Sequence, residues 1–213
     1  MTTLLYIKAS PRGEHSKSAA IAEAYLTEVQ TLRPALLIDR LDLAQVNLPE
    51  FDGNKAAAKM AVITQQAHDS AQQNAWHEIK SLAQRFMEAD YYVLAVPMWN
   101  GGIPYKLKHY IDLIHQPGLL FGLDRSTGYF GLLKNKQATL ILTSGAYSPA
   151  IPAPTFGTDH HGTYLRAWLN QAGVVDIDEV RFQPTLLTSD PEGDFSKALA
   201  AAQAAAKHLF EKN

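Results

Sequence analysis

The sequence predicts an α/β fold in which a parallel sheet carries helices on both faces. Three observations lead there: short runs that are apolar at nearly every position, helix-period segments between them, and turn residues where the runs end. An unbroken apolar run marks a strand buried on both faces, the situation of a central strand in a parallel sheet.

The first such run spans Leu4 to Ala9 and is closed by Ser10-Pro11-Arg12-Gly13. From Ser16 the period changes: Ile21, Tyr25, Val29 and Leu32 recur at helical spacing, and Pro34 stops this helix. Ala35-Leu36-Leu37-Ile38 reads as the second strand. The stretch from Asn54 to Ala89 has neither Gly nor Pro and is rich in helix formers, so it reads as helix. Tyr91 to Val96 is the third strand, ending at Pro97, and Pro104 suits the first turn of the helix that follows. Ala138 to Thr143 is the fourth strand and Val174 to Phe182 the fifth, with an Ala-rich helix from Phe195 to Phe210 after it. Residues 117–161 carry much Gly, Pro, Thr and aromatic residue, which predicts long loops at the two ends of the fourth strand. Right-handed crossovers then give a five-stranded parallel sheet of order 2-1-3-4-5, with ligands outside the carboxyl ends of the strands at the switch point.

A chain of 213 residues is expected to form one domain over 1–213 with its own core. A net charge of -2 and the lack of any Lys/Arg run give no footprint for nucleic acid or an anionic membrane surface. There is no cysteine, so disulfides, thiol nucleophiles and thiolate metal sites are excluded, and the cytoplasm is the expected compartment. The N-terminal apolar run is too short for a signal peptide core or a membrane span.

Two loops carry the chemistry. Ser10, Ser16 and Ser18 lie between the first strand and the first helix, with Arg12 and Lys17 among them. A helix N-terminus offers free N–H groups and a positive dipole end, so three hydroxyls and two cations there point to a phosphate. The bland alternative is that Ser16 simply caps the helix. Pro97-Met98-Trp99-Asn100-Gly101-Gly102 follows the third strand; its glycines let backbone approach a flat ring, and Met98 and Trp99 give it apolar and aromatic contact. The alternative is an ordinary loop packed on the core. A third segment, Thr143 to Ser148, either hydrogen-bonds the ligand and covers it with Tyr147 or is only a turn.

Other signals are weaker. Neither G-x-G-x-x-G nor G-x-x-x-x-G-K-[ST] occurs, which favours a mononucleotide over a dinucleotide or Walker-type site. Asp159-His160-His161 invites a metal, but no third ligand stands at a recognised spacing, and no metal is expected. His15, His109 and His115 read as polar surface or helix residues, and G-x-S-x-G is absent.

With these residues in hand, the chain resembles the flavodoxin-like FMN-dependent NADH:quinone oxidoreductase and azoreductase family over nearly its whole length. The match rests on Ser10-Pro11-Arg12-Gly13 with Ser16 and Ser18, on Pro97-Met98-Trp99-Asn100 with Pro104, Leu107 and Lys108, and on Lys108-x-Tyr110-Ile111-Asp112-Leu113. The resemblance implies noncovalent FMN, its phosphate held by Ser10, Ser16, the backbone of Lys17 and Ser18, and its ring beside Met98, Trp99, Asn100 and Gly101. After the fourth strand the family usually has S-R-G-G, where this chain has Ser144-Gly145-Ala146-Tyr147. The resemblance also implies a homodimer with its sites at the interface, closed by aromatics for which Phe121 and Phe156 are candidates. It implies NADH or NADPH as donor and a quinone or azo acceptor near Asn100, reduced in alternating half-reactions. The competing readings are an electron-carrier flavodoxin, which the weak net charge disfavours, and a receiver-type signalling domain, which would need acidic residues where Ser10-Pro11-Arg12 stands.

Overall fold

The structure, a computed structural model, describes residues 2–152 and 155–211. Its main sheet is built from β1 (Thr3–Lys8), β2 (Leu37–Asp42), β3 (Tyr91–Pro97), β6 (Gln137–Thr143) and β7 (Asp176–Phe182), all parallel, in the order β2-β1-β3-β6-β7. Counting only these strands, that is the expected 2-1-3-4-5. Two further strands, β4 (Phe121–Asp124) and β5 (Gly128–Gly131), form a separate antiparallel hairpin.

Alternation along the central strands sends side chains to two cores. Leu5, Ile7, Leu94, Val96, Leu140 and Leu142 pack beneath α3 (Ser70–Glu88), α4 (Tyr105–Ile114) and α5 (Gly162–Ala172). Leu4, Tyr6, Val93, Ala95 and Ile141 pack beneath α1 (Lys17–Leu32) and α6 (Pro191–Glu211). In the first core Phe86 stacks on Tyr92 at 4.3 Å between ring centroids and meets Trp168 at 5.4 Å, while the Tyr92 hydroxyl donates to the Phe86 carbonyl.

Four expectations are corrected. The second strand lies at Leu37–Asp42, not residues 35–38. As an edge strand it carries charge where neighbouring helices can pair it: Asp39 with Arg85 of α3 at 2.6 Å and Arg40 with Glu23 of α1 at 2.6 Å. Leu36 is buried in the turn before it, which is why its hydrophobicity misled. The helix from Asn54 to Ala89 is two helices, α2 (Gly53–Thr64) and α3. Gln65 ends α2 with φ 56°, and Asp69 opens α3 in a capping box with Gln72. The long loop before the fourth sheet strand contains the β4–β5 hairpin, turned by Asp124, whose carboxylate accepts from the N–H groups of Ser126 (2.8 Å) and Thr127 (2.9 Å). The C-terminal helix also begins four residues earlier than read, at Pro191, where proline suits a first turn.

The hairpin is docked closely. A Cβ on Gly131 would fall 2.2 Å from the Gly173 Cα, so backbone lies against backbone where β5 meets the end of α5. Gly173 itself ends α5 with φ 102°.

Phe86 is wholly buried between two aromatic neighbours. Phe86→Ala is expected to cost about 3–5 kcal/mol of stability, read as a fall in the urea midpoint at unchanged slope.

Candidate active site

Strand direction places the site. Because all five sheet strands run parallel, the segments following β1, β3, β6 and β7 emerge on one side. After β1, Ser10 is buried and its hydroxyl accepts from the Arg12 N–H (3.3 Å). A 3-10 turn at Gly13–His15 then leads into α1. Ser16 caps α1, its hydroxyl accepting from the Ala19 N–H at 3.2 Å, and lies 3.2 Å from the Ser18 hydroxyl. The capping reading of Ser16 therefore holds, and the cap leaves its hydroxyl beside that of Ser18 at the helix N-terminus. The Lys17 ammonium sits 4.3 Å from the centroid of the Phe195 ring.

After β3, the Met98 N–H donates to the Thr143 carbonyl at 2.7 Å, and Trp99 and Gly102 exchange backbone bonds of 2.8 and 3.0 Å. Asn100 (φ 49°) and Gly101 (φ 81°) make a two-residue turn with both central residues left-handed, for which Asn-Gly is the favoured pair. The turn holds Trp99, 45% exposed, where it lines two cavities.

The smaller cavity, about 400 Å³, brings together Ser10, Arg12, Ser16, Lys17 and Ser18 with Pro97, Met98, Trp99 and Asn100, and with Thr143, Ser144 and Gly145. Two cations and no carboxylate line it among the described residues, so it favours an anion, and the helix N-terminus at one end aims N–H groups at it. The larger cavity, about 1200 Å³, lies past Trp99 and Asn100 and is walled by Phe51, Ile103, Tyr105, His109, His160 and Tyr164 among others.

Five of the sequence candidates fall outside both cavities. Gly101 shapes the turn without lining a wall, and Ala146 and Tyr147 lie beyond it, with the Tyr147 carbonyl accepting from the Ser144 hydroxyl. Phe121 is buried in the hairpin base, its ring 4.6 Å from His115 and 5.5 Å from Tyr129, and Phe156 stands exposed. Sequence reading missed Thr185 and Leu186, which close the smaller cavity from the segment after β7. The carboxyl-end rule, applied to the fifth sheet strand as it was to the first, third and fourth, would have found them.

Asp159-His160-His161 supports a helix end. The Asp159 carboxylate accepts from the Gly162 N–H at 2.6 Å and pairs with Arg181 at 3.2 Å. His161 is 0% exposed and donates from Nε2 to the Val96 carbonyl at 2.8 Å, immediately beneath the Pro97 end of β3.

The flavodoxin-like fold family model matches residues 2–206 of the chain. A Ruegeria pomeroyi protein named FMN-dependent NADH:quinone oxidoreductase is 50% identical over 205 residues, which span 96% of this chain and 100% of that one. A protein of the same name from Desulfotalea psychrophila is 38% identical over 211 residues, 99% of each chain. Among solved structures, an FMN-dependent NADH-azoreductase from Bacillus anthracis in complex with FMN superposes with a TM-score of 0.85 at 27% identity, covering 98% of this chain and 99% of that one.

Burial holds the His161 pKa below its ordinary 6.5, against the opposing pull of the Val96 carbonyl and Asp159. The native state thus binds fewer protons than the unfolded chain, so this contribution is full above 6.5 and is lost as pH falls through the depressed native value. His115, also depressed by burial, adds a slope of the same sign. Urea midpoints measured down from neutral pH are expected to fall, and His161→Gln to flatten the fall while leaving the His115 share.

Proposed function

We propose, from the premise that this chain belongs to the flavodoxin-like family of FMN-dependent NADH:quinone oxidoreductases, that it holds FMN in the smaller cavity and reduces quinones and aromatic azo compounds with NADH. The reading is carried by one coincidence: a serine-lined helix N-terminus and an aromatic Asn-Gly turn share a single cavity that no carboxylate lines among the described residues. Those residue types fit the cofactor, the first for a phosphate and the second for a flat ring.

Ser10, Ser16 and Ser18, with the N–H groups of Lys17 and Ser18 in the first turn of α1, hold the phosphate, and Arg12 adds charge. Pro97 to Asn100 would bound the ring on one side and Thr143, Ser144 and Gly145 on the other. In the Asn-Gly turn the N–H groups of Asn100 and Gly101 make no bond within the described residues and stand ready as donors. FMN held there would supply the redox chemistry, passing two electrons from NADH to the acceptor in two separate half-reactions. The protein contributes position and a cavity wall without a carboxylate among the described residues. Asn100 lines both cavities, and NADH and then the acceptor would take the same place beside it in turn.

The chain acts as one domain and as a homodimer, with Phe121 or Phe156 of one copy closing the site of the other. Exposed Tyr129 and Phe130 on the hairpin that carries Phe121 are apolar surface of the kind that such pairing covers. No helix among the described residues is long and apolar enough to cross a membrane, and the absence of cysteine suits the cytoplasm.

Anaerobic NADH is expected to bleach the visible band of the FMN-loaded protein, and a benzoquinone to restore it. Binding of FMN with no reduction by NADH would instead favour an electron carrier. Cleaving an azo bond to two amines takes four electrons, so two NADH are expected per bond; one NADH per azo group consumed, with no amine released, would show that reduction stops at the hydrazo compound and would overturn azo cleavage as an activity.

A further inference from the structure

The segment after β7 is fastened at both ends and apolar in the middle. At one end Arg181 donates to the Gln183 side chain at 2.9 Å while pairing with Glu179 and Asp159. At the other, the Thr188 hydroxyl bonds the Asp194 carboxylate, and Asp190 accepts from the Gly193 N–H at 3.0 Å in the first turn of α6. Between them the Thr185 N–H donates to the Ser144 carbonyl at 2.8 Å and the Leu186 N–H to the Gly145 carbonyl at 2.9 Å. The strap therefore lies along the loop that follows β6.

Leu186 lines the smaller cavity and is nevertheless 78% exposed. Its side chain sits over Gly145, where an added Cβ would come within 3.0 Å of Cδ1, so glycine at 145 leaves the leucine room. A leucine fixed by its backbone at the wall of a ligand cavity, with most of its surface in water, gains free energy from any apolar body that enters. Leu187, next in the chain and 50% exposed, does not line that cavity.

We propose that Leu186 is an FMN-retaining residue: its strap forms a wall of the cofactor site, and its side chain packs on the bound cofactor, shielding it from water and slowing its escape. The inference rests on the proposed assignment of FMN to the smaller cavity. It concerns retention and solvent access, so its test does not depend on turnover.

The FMN-loaded wild type, Leu186→Ala, Leu186→Met and Leu187→Ala are compared in two measurements: FMN dissociation constant by flavin fluorescence, and quenching of the bound flavin by iodide. Leu186→Ala is expected to weaken FMN binding roughly tenfold, the loss of most of one buried apolar side chain, and to raise iodide quenching. Leu186→Met should restore both, and Leu187→Ala should stay within roughly twofold of wild type. FMN binding and quenching unchanged in Leu186→Ala would overturn the inference while leaving the cofactor assignment intact. Weakened self-association in that variant, with unchanged FMN retention, would assign the leucine to a subunit contact and also overturn it. Failure of the wild type to bind FMN would remove both the assignment and the inference.

Discussion

β3 is paired along its length, with β1 on one side and β6 on the other, and helices cover both of its faces. No residue of Tyr92 to Val96 can then be polar without an internal partner, and none is. Parallel pairing has a second effect. It forces each connection to cross the sheet and return, so every strand delivers its following loop to the same side. The serine turn, the Trp99 turn, the Ser144 loop and the Leu186 strap owe their proximity to this one requirement, although they are far apart in the chain.

The turn after β3 converts that backbone rule into chemistry. Two left-handed residues in succession reverse the chain within four positions, and the bonds between Trp99 and Gly102 leave little play. Trp99 is thus a partition more than a floor: one cavity is small, cationic and hydroxyl-rich, the other is larger and lined by aromatic and histidine side chains. A cofactor with an anionic tail and a flat head matches the first, and a variable acceptor has room in the second. His161 supports the partition from below through Val96, tying the N-terminus of α5 to the strand that carries the turn.

Much of this was legible in sequence where a local pattern had one meaning. The apolar runs of β1, β3 and β6 and the serine loop all express constraints that lie within a few residues, and the glycines after β3 marked the loop although not the Asn-Gly turn that shapes it. Elsewhere the deciding partner was distant. The position of β2 depends on Glu23 and Arg85, charges on two other elements. The break between α2 and α3 was written in the Asp69-x-x-Gln72 capping pair, a signal outweighed by the absence of Gly and Pro across the whole stretch. Leu186 looks like any loop leucine until β7 is seen to end at the cavity. Phe121 and Phe156, implied by resemblance, line neither cavity of their own chain, so a role at a site requires a second copy.

The close seat of Gly131 against Gly173 divides the β4–β5 hairpin into a root and a tip. At the root there is no room for a methyl group, because each atom that a Cβ would meet belongs to backbone and cannot swing away. At the tip, residues 125–127 are exposed and their turn is held by bonds to the Asp124 carboxylate. Drift in sequence and length is thereby channelled outward: the tip can lengthen or change character with little burden on folding, while the root keeps the hairpin aimed. A lineage of such chains can diversify what meets this edge of the molecule without disturbing the sheet that builds it.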